Sequence, residues 1–221
     1  MTNEEILRHI DHTLLKAVSA WKEIAKLCDE AVQWRTASVC VPPSYVKPIY
    51  NAYGNGLVIC TVIGFPLGYS VSAAKLAEAE SALAGGAREL DMVINLGDVK
   101  NGAFDKVEEE ISALKKIAGE NILKVIVETC YLTQEEKIRL CGIVSSAGAD
   151  YIKTSTGFGT AGALLPDVLL FKEHIGEGVK IKAAGGVKTR EDLEQFLAAG
   201  CDRIGTSSAV ALLTGGEAKA Y

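Results

Sequence analysis

The sequence predicts an α/β fold, because short runs of β-branched residues alternate with longer helical patterns along the whole chain. Apolar runs such as 58–62 and 125–127 do not alternate with polar residues, as is typical of parallel strands covered on both faces. Eight strand–helix units in 221 residues leave about 27 residues for each unit. That spacing favours a closed (βα)₈ barrel, the TIM barrel, over the alternative of an open, doubly wound sheet.

The predicted strands share β-branched or apolar character and are followed by helix start signals. They are His12–Leu15, Ser38–Val41, Leu57–Ile63, Glu89–Ile94, Leu123–Glu128, Tyr151–Thr154, Lys180–Ala184 and Arg203–Thr206. Capping boxes are predicted at Thr133 with Glu136 and at Thr189 with Asp192, each shortly after a strand. Strand signals and helix signals therefore alternate along the chain, as repeated βα units require.

One helix-to-strand joint occurs three times. The segments Gly86–Asp91, Gly148–Lys153 and Gly200–Gly205 each begin with a glycine that ends a helix, followed by a small residue and an acidic residue before the strand. Repetition of one short connection implies units of similar size. Without a linker or a composition break, we expect residues 1–221 to form a single domain.

Composition and charge exclude several classes of protein. The chain is 48% hydrophobic and carries a formal net charge of −5, whereas a nucleic-acid-binding protein needs a basic face. No apolar run approaches the ~20 residues that span a bilayer, and the first residues do not resemble a secretory signal. The six cysteines lack a C-x-x-C pair, which favours free thiols in a reducing compartment. We therefore expect a cytoplasmic protein that binds neither nucleic acid nor membrane.

Apolar neighbours surround several charged residues of the predicted strands, among them Asp91 in the fourth, Lys153 in the sixth and Lys182 in the seventh. The mouth of a βα barrel gathers the carboxyl ends of its strands, where active sites form. Each lysine precedes a glycine by three or four residues. If the sixth and seventh strands are neighbours, the two amines face each other.

Two like charges in a partly desolvated pocket lower the pKa of a lysine. A lysine with an ordinary pKa of ~10.4 is about 0.1% deprotonated near neutral pH, which makes it a poor nucleophile. Lowering that pKa to ~7 requires ~4.6 kcal/mol. A like charge at ~4 Å supplies up to ~4 kcal/mol at an effective dielectric of ~20. One neighbouring lysine with modest desolvation thus suffices to give an amine that attacks carbonyls.

The acidic residues and the remaining strand lysine have separate predicted roles. Asp91 is the candidate for general acid–base catalysis, with Glu128 as a weaker candidate. Asp11, at the start of the first strand, is a possible ligand for a hydroxyl at the mouth. Lys124 is interpreted as structural, because several residues separate it from the following loop.

His9 and His12 have the spacing of a metal-binding pair, but a third ligand is not evident. We therefore expect neither a metal nor another cofactor. Cys40 is interpreted as a thiol within a strand rather than as a nucleophile.

Glycine- and serine-rich segments follow the sixth, seventh and eighth strands. Gly157, Gly185 and Gly186 allow backbone N–H groups to approach an anion, and Ser207 and Ser208 add hydroxyl donors. Barrels often bind phosphate at the loops after strands seven and eight. The sequence therefore predicts a phosphate site beside the lysine pair.

These motifs together resemble the deoxyribose-phosphate aldolase family over essentially the whole chain. The matching segments are Ile10–Thr13, Ala37–Pro42, Glu89–Asn95, Tyr151–Gly157, Lys182–Gly186 and Gly205–Ser208. The resemblance implies reversible cleavage of 2-deoxy-D-ribose 5-phosphate into D-glyceraldehyde 3-phosphate and acetaldehyde by a metal-independent, class I lyase. It also implies a homo-oligomer, a dimer or larger.

The resemblance also implies residue roles. Lys153 corresponds to the Schiff-base lysine, Lys182 to the second lysine and Asp91 to the acid–base carboxylate, while the glycines and serines above correspond to phosphate contacts. Phe158 stands where some family members carry a lysine, which makes the phosphate site less cationic. The chain ends in Tyr221, and family members often end with a tyrosine that reaches the active site.

Three other functions remain open at this point. They are a Schiff-base aldolase acting on another sugar phosphate, a metal-dependent barrel enzyme, and a non-catalytic sugar-phosphate-binding protein. The lysine pair disfavours the last two.

Overall fold

A computed structural model of the chain describes residues 1–215, and Tyr221 therefore lies outside the described residues. Eight parallel strands form a closed barrel in sequence order. They are β1 (Ile10–Thr13), β2 (Ser38–Val41), β3 (Ile59–Ile63), β4 (Glu89–Val93), β5 (Ile122–Ile126), β6 (Tyr151–Lys153), β7 (Lys180–Ala184) and β8 (Arg203–Thr206). Pairing of Ile10 with Ile204 joins β1 to β8 and closes the ring. The predicted (βα)₈ barrel is confirmed.

Ten helices occur in the described part of the chain, and most of them cover the outside of the barrel. They are α1 (Asn3–Leu7), α2 (Trp21–Trp34), α3 (Val46–Tyr53), α4 (Ser72–Gly85), α5 (Leu96–Lys100), α6 (Phe104–Ala118), α7 (Gln134–Ser146), α8 (Leu165–His174), α9 (Arg190–Ala199) and α10 (Ala209–Thr214). Both predicted capping boxes are present, at the starts of α7 and α9. None of the described helices is long and apolar enough to cross a bilayer.

The repeated joints contain the expected left-handed glycines. Gly86, Gly148 and Gly200 have φ values of 112°, 74° and 112°. A Cβ atom on Gly86 would also lie 2.5 Å from the Tyr50 ring, so this position excludes larger residues both by conformation and by space. These joints return the chain to the barrel in the same way each time.

Several predicted strands differ from the observed ones at their ends. The third was predicted to begin at Leu57, but β3 begins at Ile59, and the fourth and sixth strands end one residue earlier than predicted. The first was predicted at His12–Leu15, but β1 begins at Ile10, which is fully buried and pairs with Ile204. Leu15 lies beyond the strand and packs on Cys40 and Cys60. The fifth was predicted to continue to Glu128, but that residue has a left-handed backbone (φ 55°, ψ 68°), which a strand cannot contain.

The apolar core lies between the strands and the surrounding helices. Residues of α6 illustrate it: Val107, Ile111, Leu114 and Ala118 are all buried on one face, as the helical periodicity predicts. The inside of the barrel is different, because its centre contains charged side chains. That polar interior positions the candidate active site.

Candidate active site

The register of the barrel brings the predicted lysine pair together. β6 and β7 are neighbours, and Lys153 and Lys182 are paired residues in the ladder between them. Asp91 lies within β4, two strands away from β6, and is fully buried. The condition set by the sequence analysis, that the sixth and seventh strands are neighbours, is therefore met.

The carboxylate of Asp91 binds three amines. Its Oδ2 atom accepts hydrogen bonds from Lys153 Nζ at 2.7 Å and from Lys182 Nζ at 2.6 Å. Its Oδ1 atom accepts from Lys124 Nζ at 2.9 Å and from the Cys60 thiol at 3.1 Å. Lys124 and Cys60 thus fix Oδ1 inside the barrel, while Oδ2 is shared between the two candidate lysines.

A buried charge cluster extends below this carboxylate. Lys182 Nζ lies 2.5 Å from Asp11 Oδ2, and Lys124 Nζ lies 2.6 Å from Glu89 Oε2. Arg203 pairs with both Asp11 and Glu89.

Within the described residues the cluster therefore contains four basic side chains, at positions 124, 153, 182 and 203, but three carboxylates, at positions 11, 89 and 91. Lys153 pairs with a single carboxylate, which it shares with Lys182. It is the amine that the carboxylates compensate least.

The protonation states of two members follow from this arrangement. Burial by itself would raise the pKa of Asp91, but the ammonium groups of Lys124, Lys153 and Lys182 outweigh burial and hold that pKa well below its usual range. Burial would lower the pKa of Lys182, but the carboxylates of Asp11 and Asp91 outweigh it, and the net shift is upward. Both shifts favour the charged forms, so Asp91 is an anion and Lys182 a cation at neutral pH.

A pocket opens above the cluster at the carboxyl ends of the strands. Of the three predicted catalytic residues, Lys153 alone lines this pocket, whereas Asp91 and Lys182 lie beneath it. The five predicted phosphate contacts, at positions 157, 185, 186, 207 and 208, all line the pocket as well. A basic residue at the floor and glycine loops around the wall thus meet in one cavity.

The glycine loops after β6 and β7 pack directly against each other. A Cβ atom on Gly185 would lie 3.2 Å from the Gly157 Cα atom, and one on Gly162 would lie 2.3 Å from the Gly185 carbonyl carbon. Within residues 1–215, the backbone N–H groups of Gly157, Gly186 and Ser207 make no hydrogen bond to protein. These donors can bind an anion in the pocket.

Two weaker interpretations from the sequence differ from the structure. Asp11 was expected at the mouth, but it is fully buried, does not line the pocket, and accepts a hydrogen bond from the Ser38 hydroxyl at 2.8 Å. Lys124 was interpreted as structural, and it is fully buried, but it also contacts Asp91 inside the barrel. The sequence could not show this contact, because Lys124 reaches the cluster from within β5 and not from a loop.

The histidines do not form the pair that their spacing allows. His9 Nδ1 lies 2.8 Å from the Asp202 carbonyl oxygen, and His12 Nε2 lies 2.9 Å from Glu30 Oε2. Two groups of cysteine and carboxylate atoms in the barrel are close enough to hold an ion, Cys40 with Cys60 and Asp91, and Asp11 with Cys60 and Glu89. Ammonium groups of the lysines already compensate these carboxylates, which disfavours a metal there.

Lys188 is a charged pocket residue that sequence reasoning missed. It lies two residues after Gly186, its side chain is exposed, and it lines the pocket. Among the described residues it forms no ion pair. The sequence signal was its position directly after a glycine loop. This cation offsets the expectation, based on Phe158, that the phosphate site has little positive charge.

The fold and this pocket define the class of the protein as a barrel enzyme of the aldolase type, in which a lysine amine lies where a carbonyl substrate would bind. The chain belongs to the DeoC/LacD family of aldolases, whose model matches residues 6–214.

Similar proteins and a solved structure support this family assignment. The chain is 62% identical to the deoxyribose-phosphate aldolase of Clostridium botulinum (strain Alaska E43 / Type E3) over 221 residues, which is the full length of both chains. It is 52% identical to that of Clostridioides difficile (strain 630), over 99% of this chain and all of the relative. The solved structure of a tetrameric deoxyribose phosphate aldolase from Aeropyrum pernix superposes with a TM-score of 0.90 at 33% identity, covering 97% of this chain and 92% of the other.

Proposed function

We propose that this chain is a class I deoxyribose-phosphate aldolase, which reversibly cleaves 2-deoxy-D-ribose 5-phosphate into D-glyceraldehyde 3-phosphate and acetaldehyde. The observation that carries the proposal is the position of the Lys153 amine at the floor of the pocket. It lies beside Lys182, and both amines donate a hydrogen bond to Asp91 Oδ2. The names of relatives that match over the full length support the substrate.

In the synthetic direction Lys153 is the nucleophile. Its neutral amine attacks the carbonyl carbon of acetaldehyde, and loss of water gives an imine, which draws electrons from the adjacent carbon. Removal of a proton from that carbon gives an enamine. Asp91, an anion that lies beneath the pocket, accepts the proton through a water molecule, and the Lys182 ammonium group hydrogen-bonds that carboxylate between transfers.

The second half of the reaction joins the two substrates. The enamine carbon forms a bond to the aldehyde carbon of D-glyceraldehyde 3-phosphate, and the aldehyde oxygen takes up a proton. Water then hydrolyses the imine, which releases 2-deoxy-D-ribose 5-phosphate and restores the Lys153 amine. Cleavage follows the same steps in reverse.

The phosphate is bound where backbone donors and hydroxyl groups converge. The N–H groups of Gly157, Gly186 and Ser207 and the hydroxyls of Ser207 and Ser208 are the proposed hydrogen-bond donors. Lys188 at the rim supplies a positive charge. In this arrangement the phosphate anchors the substrate at one end while Lys153 reacts at the other, which holds the reacting carbons in place.

The test is reductive trapping of the imine. Treatment with acetaldehyde and borohydride, followed by peptide mapping, should place a single ethyl group on Lys153. Lys124 and Lys182 are internal controls, because both are buried lysines of the same cluster that do not line the pocket. Label on either of them, or an activity that EDTA abolishes, would contradict the proposal.

A donor panel separates the remaining alternative, a Schiff-base aldolase for another sugar phosphate. Acetaldehyde is an unusually small donor, so preference for a larger ketone donor would favour that alternative.

We also propose that the whole chain is one aldolase domain acting in the cytoplasm as a homo-oligomer, without nucleic acid, membrane, metal or cofactor. The free state of the six cysteines supports a reducing compartment. The tetrameric structure of the Aeropyrum pernix relative supports an oligomer.

A further inference from the structure

Glu128 has an unusual backbone conformation at the carboxyl end of β5. In the described part of the chain, Arg35 and Glu128 are the non-glycine residues with positive φ, at 53° and 55°. Arg35 ends helix α2, where a left-handed residue is common. Glu128 lies two residues beyond the end of β5, at a position where glycine would avoid the strain. Its side chain therefore has a use that offsets this cost.

The strained residue lies beside the strand that carries Lys153. Val127 N donates to the Lys153 carbonyl at 3.0 Å, and Thr129 N donates to the Thr154 carbonyl at 2.9 Å. The segment after β5 thus advances by two residues while the segment after β6 advances by one, as in a bulge. Glu128 is the residue in between.

The carboxylate of Glu128 binds the loop after β6 through one residue. It accepts from Thr156 N at 3.2 Å and 3.3 Å and also from the Thr156 hydroxyl. The Thr156 hydroxyl oxygen in turn accepts from Phe158 N at 3.0 Å. The N–H groups of Thr156 and Phe158, on either side of Gly157, are therefore linked to one buried carboxylate, the first directly and the second through the Thr156 hydroxyl.

Glu128 is 3% exposed and does not line the pocket. It forms no ion pair within residues 1–215. Burial raises its pKa, and the hydrogen bonds from Thr156 together with the charge of Lys153 offset this only in part. Burial of a carboxylate without an ion-pair partner costs free energy, and its hydrogen bonds to the loop are what offset that cost.

We propose that Glu128 is a positioning residue for phosphate recognition: by holding Thr156 and the Phe158 N–H, it fixes the turn that directs the Gly157 N–H into the pocket. This inference rests on the proposed aldolase function. It assigns Glu128 a role different from the acid–base candidate that the sequence suggested. The side chain hydrogen-bonds Thr156, does not line the pocket, and makes no hydrogen bond to Lys153 within residues 1–215.

The experiment compares cleavage of 2-deoxy-D-ribose 5-phosphate with cleavage of 2-deoxy-D-ribose in the full-length enzyme. Glu128→Gly removes the carboxylate and also relieves the backbone strain, so it should fold. It should raise KM for the phosphorylated substrate by about tenfold or more, which is the loss expected for one fixed donor to a charged group, and leave kcat/KM for the sugar within about twofold. Glu128→Gln, which keeps one acceptor oxygen, should fall between wild type and Glu128→Gly.

Arg35→Gly is the matched control, because it relieves the same kind of strain at the end of helix α2, away from the pocket. Its KM and kcat/KM should match those of wild type with both substrates. Equal loss with both substrates, a fall in kcat alone, or a reduced rate of imine trapping with acetaldehyde would overturn the positioning role and favour direct proton transfer. Should Glu128→Gly unfold, the same comparison is made with Glu128→Gln and Thr156→Val. Failure of wild type to cleave 2-deoxy-D-ribose 5-phosphate would instead contradict the proposed function itself.

Discussion

Replacing Lys153 with methionine is expected to reduce turnover of 2-deoxy-D-ribose 5-phosphate by about four orders of magnitude or more, because loss of a covalent nucleophile leaves only binding and orientation. Methionine has a similar length but no amine. The fold should survive, since the substitution leaves three basic side chains with three carboxylates in the buried cluster.

The measurement is steady-state cleavage together with a thermal melt. Lys180→Met is a suitable control, because Lys180 lies at the start of β7 and is 54% exposed. Its turnover should match wild type. A Lys153→Met enzyme that keeps more than about a tenth of wild-type turnover would remove this residue from the chemistry.

Replacing Asp91 with asparagine should damage both activity and stability. Turnover should fall by about 10²–10⁴, the usual contribution of a general acid–base group. The free energy of unfolding should fall by about 3–5 kcal/mol, because three buried amines lose the carboxylate they share. Asp202→Asn, a surface substitution at the far end of the barrel, is the control for stability.

The stability difference should also depend on pH with a defined sign. The pKa of Asp91 is lower in the folded state than in the unfolded chain, so its contribution is present above about pH 4 and is lost as the pH falls toward the folded-state pKa. Denaturant unfolding of wild type and Asp91→Asn should therefore differ most near neutral pH and converge in acid. A constant difference down to about pH 2 would show that Asp91 does not carry the effect.

The barrel could be predicted from the sequence because its signals are local. Strand runs, capping boxes and left-handed glycines such as Gly86 are each specified within a few residues, and their order implies the topology. Strand ends were less certain, since Leu15 is apolar for a reason unrelated to the strand: it forms part of the pocket wall.

The candidate site was predicted in part. Lys153, Lys182 and Asp91 could be located because polar residues inside apolar strands are conspicuous. The depth of Asp11 and the contact between Lys124 and Asp91 could not, because they depend on which strands face each other across the barrel. The proposed role of Glu128 depends on a backbone angle that no sequence motif announces.

The proposed chemistry depends on Lys153 acting as the nucleophile beside the cationic amine of Lys182. The decisive experiment is the rate of imine trapping at Lys153 by acetaldehyde and borohydride at neutral pH, measured in wild type and in Lys182→Met, with Lys180→Met as the control. We expect the rate to fall by about tenfold or more in Lys182→Met, because a neighbouring cation activates a lysine nucleophile, and to be unchanged in the control. The same rate in wild type and in Lys182→Met would contradict this mechanism.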